Sequence, residues 1–347
     1  MLEKLLKKNE IKFIIAFTIS VFVFLLLIFA LAVMVDPHND FGTDIFKPLV
    51  MTNRTEKLET ISNLSPKPDI IIFGSSRVFS MDPELIENIT NKKTYNASVS
   101  YARPEDHWTM ANYIVNDLKI KPELIIVGLN LGELNNDNIE PQTINNKNLI
   151  KYLNANPSVK LKNIFRSLKD SINQGYIRDI FVSIFKLNIK PNRTGLQTQD
   201  FLPNGQIVSF SSHPEKNQPE TDFSKTYSHA YGLFNGLDKL NPTRKLYLEN
   251  FISFCNQNDI KVKIALLPMP AQTLEKLYIK TNYTNIYQEF LRYTGELHSA
   301  YKFDFYDFST VEKFNGLEYD FDDATHPGVK NIEKITKLIF DPNYAVQ

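Results

Sequence analysis

One cysteine, Cys255, stands in 347 residues, so an intramolecular disulfide and a Cys-x-x-Cys metal site are both excluded. Its neighbours Phe254 and Asn256 lie in an apolar-periodic stretch. That setting reads as a small buried hydrophobe rather than a reactive thiol. Net charge is absent too, with 39 Lys+Arg against 39 Asp+Glu. Without a basic block the chain lacks the clustered phosphate contacts of a nucleic-acid binder, and no nucleic acid is expected as partner. A hydrophobic fraction of 43% with 22% charged residues excludes collagen-like and wholly disordered chains. No internal repeat is found, and no stretch after Val35 is long and apolar enough to cross a bilayer.

One such run does exist. Phe13 to Val35 holds 23 residues without a charge, about 34 Å of helix, enough for a bilayer core. Lys4, Lys7, Lys8 and Lys12 precede it; Asp36, Asp40 and Asp44 follow it. The positive-inside bias expects residues 1–12 in the cytoplasm, a transmembrane anchor at 13–35, and everything later outside the cell. Ala30-Leu31-Ala32 offers the alternative of signal-peptide cleavage, but the run exceeds the ~7–15 residues of a signal core. An uncleaved single-pass anchor in the cell membrane is therefore expected.

The polar stretch 36–66 reads as a stalk, and 67–347 as one exterior domain. Asp69–Phe73 is a continuous apolar run, as in a parallel strand buried on both faces. Thr94–Asn96, Leu124–Gly128, Lys263–Leu267 and Phe303–Tyr306 read as further strands. Helices are expected from Asp82-Pro83, from Arg103-Pro104 to about Leu118, over about 244–256, and over 328–340. Alternating strands and helices predict a doubly wound α/β domain with a parallel sheet. The alternation breaks over about 135–240. There 135–148 shows no helical or strand pattern, the part up to Ile189 looks helical, and 190–230 is turn-rich. This segment reads as an insertion over the strand ends.

Reactive groups of an open α/β sheet sit on loops at the carboxyl ends of its strands. The first strand ends in Gly74-Ser75-Ser76-Arg77, where a serine is placed as a nucleophile with its own N–H available to an oxyanion. The second ends in Asn96-Ala97-Ser98, and the third in Gly128-Leu129-Asn130, whose amide can donate to the same oxyanion. Asp323 and His326 stand three apart before the last helix, so the carboxylate can fix the imidazole tautomer. Asp322 is the alternative orienter. Asp320, Asp322 and Asp323 with Glu318 read as an acidic loop rather than a metal site. His107 and the sole tryptophan, Trp108, read as core packing, and Pro268-Met269-Pro270 as the rim of the site.

This ordering resembles the SGNH/GDSL hydrolase superfamily over roughly 69–129 and 261–340. The nucleophile block is matched by Gly74-Ser75-Ser76, making Ser76 the nucleophile. The glycine block falls at Asn96-Ala97-Ser98, with Ser98 where glycine is usual. The Gly-x-Asn-Asp block is matched by Gly128-Leu129-Asn130-Leu131, which lacks the aspartate. The Asp-x-x-His block is matched by Asp323 and His326. With its anchor, the chain is similar to the membrane-anchored subset, which includes the D-alanyl transfer protein and polysaccharide O-acetylation proteins. The resemblance implies a three-layer α/β/α fold. It implies a catalytic Ser76, His326 and Asp323, and an oxyanion hole of Ser76, Ser98 and Asn130. It implies acyl ester chemistry without cofactor or metal on a cell-surface polysaccharide, as esterase or O-acyltransferase, with a membrane-bound O-acyltransferase as partner. The alternative is a non-catalytic assembly or glycan-binding protein that keeps the fold.

Overall fold

The computed structural model describes residues 2–43, 45–49, 52–135, 139–153, 161, 164–165, 167–169, 171–187, 201–207 and 224–344. Along the chain run α1 (Leu2–Val35), α2 (Asn53–Asn63), β1 (Ile70–Gly74), α3 (Pro83–Thr90), β2 (Thr94–Asn96) and α4 (Pro104–Asn112). Then follow β3 (Leu124–Leu129), α5 (Pro141–Ile144), α6 (Gln174–Ile184), α7 (Ser224–Phe234) and α8 (Pro242–Gln257). The chain closes with β4 (Lys261–Leu266), α9 (Ala271–Lys280), α10 (Tyr283–Ala300), β5 (Asp304–Asp307) and α11 (Val329–Phe340). It divides into two compact units. One comprises Met1–Thr52, Ile144–Lys147 and Ala155–Thr198; the other comprises Asn53–Thr143, Asn148–Asn154 and Gln199–Gln347.

In the first unit α1 is long and apolar enough to cross a membrane. Near its end Ala32 and Val35 pack against Tyr176 and Ile180 of α6.

The second unit is built on five parallel strands in the order β2-β1-β3-β4-β5. Side chains alternate across each strand. Ile71, Phe73, Ile125 and Val127 meet α4, α8 and α10 on one face. Ile70, Ile72, Leu124 and Ile126 meet α3 and α11 on the other. Helices thus cover both faces, which explains why the central strands β1 and β3 are apolar throughout. Strand order reverses between β1 and β3, the position where open α/β sheets form their ligand crevice. The expected cap at Asp82 is present, accepting from the Glu84 N–H. Helix α8 begins two residues before the expected start, capped by Asn241, which accepts from the N–H groups of Thr243 and Arg244.

Three expectations need correction. Residues 53–63 are not stalk but α2, whose Leu58 and Ile61 lie in the core. Its sequence looks like a solvated helix because Arg54 and Lys57, both buried, find partners elsewhere. Arg54 Nε and Nη2 bind the Asp106 carboxylate at 2.7 and 2.9 Å, and Nη1 donates to Ser100 O and Gln142 Oε1 at 3.1 Å each. Against burial, Arg54 holds the Asp106 carboxyl below the usual carboxylate range. Second, 135–148 does contain a helical turn, α5. Third, 135–240 is divided between the two units: the described residues between 161 and 187 group with the first, and 201–207 and α7 with the second. Most of the turn-rich expectation at 190–230 lies outside the described residues, but α7 begins within it. Residues 201–207 form a tight hairpin, with Phe201 bridged to Ile207. Asn204 O accepts from Asn96 N–H at 2.9 Å, and the Ile207 N–H donates to Phe79 O at 3.1 Å. Lys57 Nζ donates to Asn96 O at 2.8 Å and to Gly205 O, and lies 3.7 Å from the Phe201 ring centroid.

Arg54→Ala leaves Asp106 charged and buried. Denaturant unfolding should show a loss of about 3–5 kcal/mol, whereas a solvated stalk residue would change stability by no more than about 0.5 kcal/mol.

Candidate active site

The turn after β1 exists because two glycines lie side by side. Gly74 of β1 is in register with Gly128 of β3. Val78, in the 3-10 turn Ser76–Val78, sits down over both. A Cβ on Gly74 would lie 2.6 Å from Val78 Cγ2, and one on Gly128 would lie 2.3 Å from Val78 Cγ1. Gly74 also has φ +146°, outside the range open to other residues. The Gly-x-Asn glycine is therefore matched to the nucleophile turn by packing, and Ser76 opens that turn half-buried.

The second partner comes from the loop before α11. Asp320 shapes this loop: its carboxylate accepts from the Asn331 N–H at 2.6 Å and its carbonyl from the Gly328 N–H at 2.7 Å. The Asp322 N–H closes the turn on His326 O at 2.9 Å. Asp323 Oδ1 accepts from the N–H groups of Thr325 and His326 at 2.7 and 2.8 Å and from Thr325 Oγ1 at 2.9 Å. Its Oδ2 lies 2.8 Å from His326 Nδ1. His326 Nε2 lies 2.8 Å from Ser76 Oγ, across 250 residues of sequence. Against the upward push of burial, the hydrogen bond and charge of His326 hold the Asp323 carboxyl well below the usual carboxylate range. Ser76, Asp323 and His326 thus form one hydrogen-bonded chain, and the orienting contact is made by Asp323. Such a chain can draw the proton from a serine as it attacks a carbonyl carbon.

The two strand-end amides divide. Asn130 is buried at the end of β3, and its Oδ1 accepts from the Gly132 N–H at 3.0 Å. Nδ2 has no protein partner among the described residues and remains a donor. Ser98 departs from expectation. Its N–H donates to Asn96 Oδ1 at 3.1 Å, and its hydroxyl binds the same oxygen. Asn96 is itself fixed by donating to Val78 O and Met81 O at 2.8 and 3.0 Å. In this arrangement the Ser98 N–H already has an internal acceptor, which an oxyanion would have to replace.

Around the nucleophile turn, roles emerge that the sequence did not assign. Arg77 is buried rather than presented beside the nucleophile, and its Nη2 donates to Pro268 O, which gives the Pro268-Met269-Pro270 segment its role. Arg77 Nε and Nη1, Ser75 Oγ and Glu133 Oε2 are buried without hydrogen-bond partners among the described residues. Burial pushes the Glu133 carboxyl up to about 7, with Ser75 and the Arg77 and Arg103 charges opposing the shift, and pushes the Arg77 guanidinium down to about 10. The only advance sign of Glu133 is its place one turn after Asn130. Thr325, between Asp323 and His326, carried none. The helix α7 touches the site, as Ala324 N–H donates to Thr226 Oγ1 at 3.0 Å.

His107 and Trp108 are core residues. His107 lies between Phe73 and Phe251, at centroid distances of 6.0 and 6.1 Å, and burial lowers its pKa to about 4. Trp108 packs on Phe254 and donates to Tyr152 O at 2.8 Å. Cys255 is buried, and burial pushes its thiol up.

No family model matches the chain, and no curated protein matches it.

Two outcomes test this geometry. Gly128→Ala should drive Val78 off the sheet end and cost about 1–3 kcal/mol. Val78→Ala in the same chain should restore part of the loss, read by thermal unfolding. Folded Glu133 keeps its proton to about pH 7, whereas the unfolded chain releases it near 4.5. The folded state therefore holds the extra proton in that window, and stability falls as pH rises through it. Glu133→Gln should flatten this fall, seen as a smaller difference in Tm between about pH 5 and about pH 8.

Proposed function

We propose that the chain is a membrane-anchored, SGNH-like serine acyl esterase or O-acyltransferase acting on a cell-surface polysaccharide or glycopolymer. The observation that carries the reading is the Ser76–His326–Asp323 chain, with both links at 2.8 Å, at the switch point of a parallel sheet. Ser76 Oγ attacks the ester carbonyl while His326 Nε2 takes its proton. His326, held by Asp323, returns that proton to the leaving alcohol. Water or a sugar hydroxyl then attacks the acyl-serine with His326 again as base. The Ser76 N–H and Asn130 Nδ2 receive the oxyanion. The unpaired polar atoms of Ser75, Arg77 and Glu133 beside the nucleophile support a polar ligand, since buried groups without partners mark functional sites. The lysine-rich N-terminus and the apolar α1 support an exterior domain, which fits a surface glycan and a membrane-bound O-acyltransferase as partner.

A second reading, a non-catalytic assembly or glycan-binding protein, is favoured by one observation. The Ser98 N–H, a donor in the resemblance, is taken by Asn96.

Purified full chain should hydrolyse p-nitrophenyl acetate. Ser76→Ala and His326→Ala should each remove on the order of 10³-fold or more of that activity, and the double variant should be no worse than either. Asp323→Asn should cost on the order of 10²-fold. Ser75→Ala should keep most of it. No esterase activity in the purified chain, with normal polysaccharide acylation in cells carrying Ser76→Ala, would decide for the second reading.

A further inference from the structure

The first unit carries an exposed surface that the proposed chemistry does not use. One face of α6 is committed to α1: Tyr176 and Ile180 pack on Ala32 and Val35, with Phe41 and Ile184 at the edge. His38 Nε2 lies 2.8 Å from Asp179 Oδ2, both buried, and the His38 ring meets the Tyr176 ring edge-on at 4.7 Å. In the same last turns of α1, Leu31 and Met34 face outward. The opposite face of α6 presents Gln174, Arg178, Phe181 and Phe185, spaced as one helical stripe. Phe181 is 50% and Phe185 65% exposed, and the two rings stack at 6.3 Å. Leu187 follows at 46%.

Single exposed apolar side chains are ordinary; a stacked, exposed aromatic pair on a helix packed against an apolar one is not. The apolar run 13–35 is about 34 Å long against a hydrocarbon core of about 30 Å, so its last turns lie at the headgroup boundary, where aromatic residues gather. The charge of this segment is one-sided within a neutral chain. Between 160 and 190 stand Lys160, Lys162, Arg166, Lys169, Arg178, Lys186 and Lys190 against Asp170 and Asp179, and Asp179 is held by His38.

We propose that α6 is an interfacial helix that lies on an anionic phospholipid surface, with Phe181, Phe185 and Leu187 at the headgroup–acyl boundary and Arg178 and Lys186 among the phosphates. This rests on α1 being a membrane anchor. A second attachment beside the first fixes the rotation of this unit about the α1 axis, which one spanning helix leaves free.

The test uses the full chain in liposomes of phosphatidylcholine with phosphatidylglycerol. Phe22→Cys, Phe181→Cys and Phe185→Cys are each made in a Cys255→Ala background and labelled with an environment-sensitive fluorophore. Positions 181 and 185 are exposed, so their substitution leaves the fold intact. Nitroxide lipids with a shallow spin label should quench positions 181 and 185 strongly, aqueous iodide should quench them weakly, and deep nitroxides should quench position 22. Omitting phosphatidylglycerol should weaken quenching at 181 and 185 severalfold. Strong iodide quenching at 181 and 185 means the face is in water and overturns the proposal. Protection from both quenchers means protein covers it, this chain or a second copy, and overturns it too. Equal lipid quenching without phosphatidylglycerol overturns the anionic preference. Loss of deep quenching at position 22 refutes the anchor reading instead.

Discussion

The pairing of Gly74 with Gly128 on adjacent parallel strands is the constraint on which the site depends. Neither position tolerates a side chain, because Val78 occupies the space above both. That contact brings the turn carrying Ser76 down onto the sheet. The Val99 N–H donates to Gly74 O at 3.0 Å, so the loop after β2 is fastened to the same point. The Leu267 N–H donates to Leu129 O at 2.9 Å and extends the ladder to the segment that receives Arg77. With the turn fixed from three strands, the loop before α11 needs only a defined height to bring His326 to Ser76. Asp320 and Asn331 set that height, since Asn331 also binds Leu317 O and Asp320 O at 2.9 and 2.8 Å. The acidic cluster before His326 thus divides its labour: Asp320 shapes the loop and Asp323 orients the ring.

Much of this was legible in sequence, for a physical reason. The central strands β1 and β3, buried on both faces, are apolar throughout, and the other three still carry short β-branched or aromatic runs, so all five were visible. Asp323 and His326 were legible because their contact is local, and Ser76 because a glycine must precede a turn this tight. What stayed hidden was set by partners distant in sequence. The polar text of α2 gives no hint that Asp106 receives Arg54. Ser98 resembled an oxyanion donor by position, but whether its N–H is free depends on Asn96, two residues away. Its side chain points back because Val78 O and Met81 O hold it. Arg77 follows the nucleophile directly in sequence, and only the fold reveals that it turns inside, where Pro268 O receives it.

Buried charge is concentrated at the start of α4, where Glu105, Asp106 and His107 are all inaccessible. Asp106 accepts from Arg54, the Arg103 N–H at 3.0 Å and Thr143 Oγ1 at 2.5 Å, so all its contacts are internal. Glu105 pairs with Arg244 of α8. These pairs tie α2 to α4 and α4 to α8, and removing one partner of either would leave a buried charge uncompensated. The start of α2 holds the loop after β2, because Arg54 also reaches Ser100 O and Asn53 Nδ2 reaches Ser100 Oγ at 2.7 Å.

The hairpin at 201–207 ties a buried lysine to the end of β2. A Cβ on Gly205 would stand 2.1 Å from Asn96 O, and Gly205 has φ +85°. Lys57 spends its ammonium on the carbonyls of those same two residues, in a place where burial lowers its pKa well below that of an ordinary lysine. Without the hairpin the buried amine would lose one acceptor and the Phe201 ring above it. Lys57, Asn96, Phe201 and Gly205 therefore form one interdependent unit, and removing the loop is tolerable only if the lysine gives way to an apolar residue.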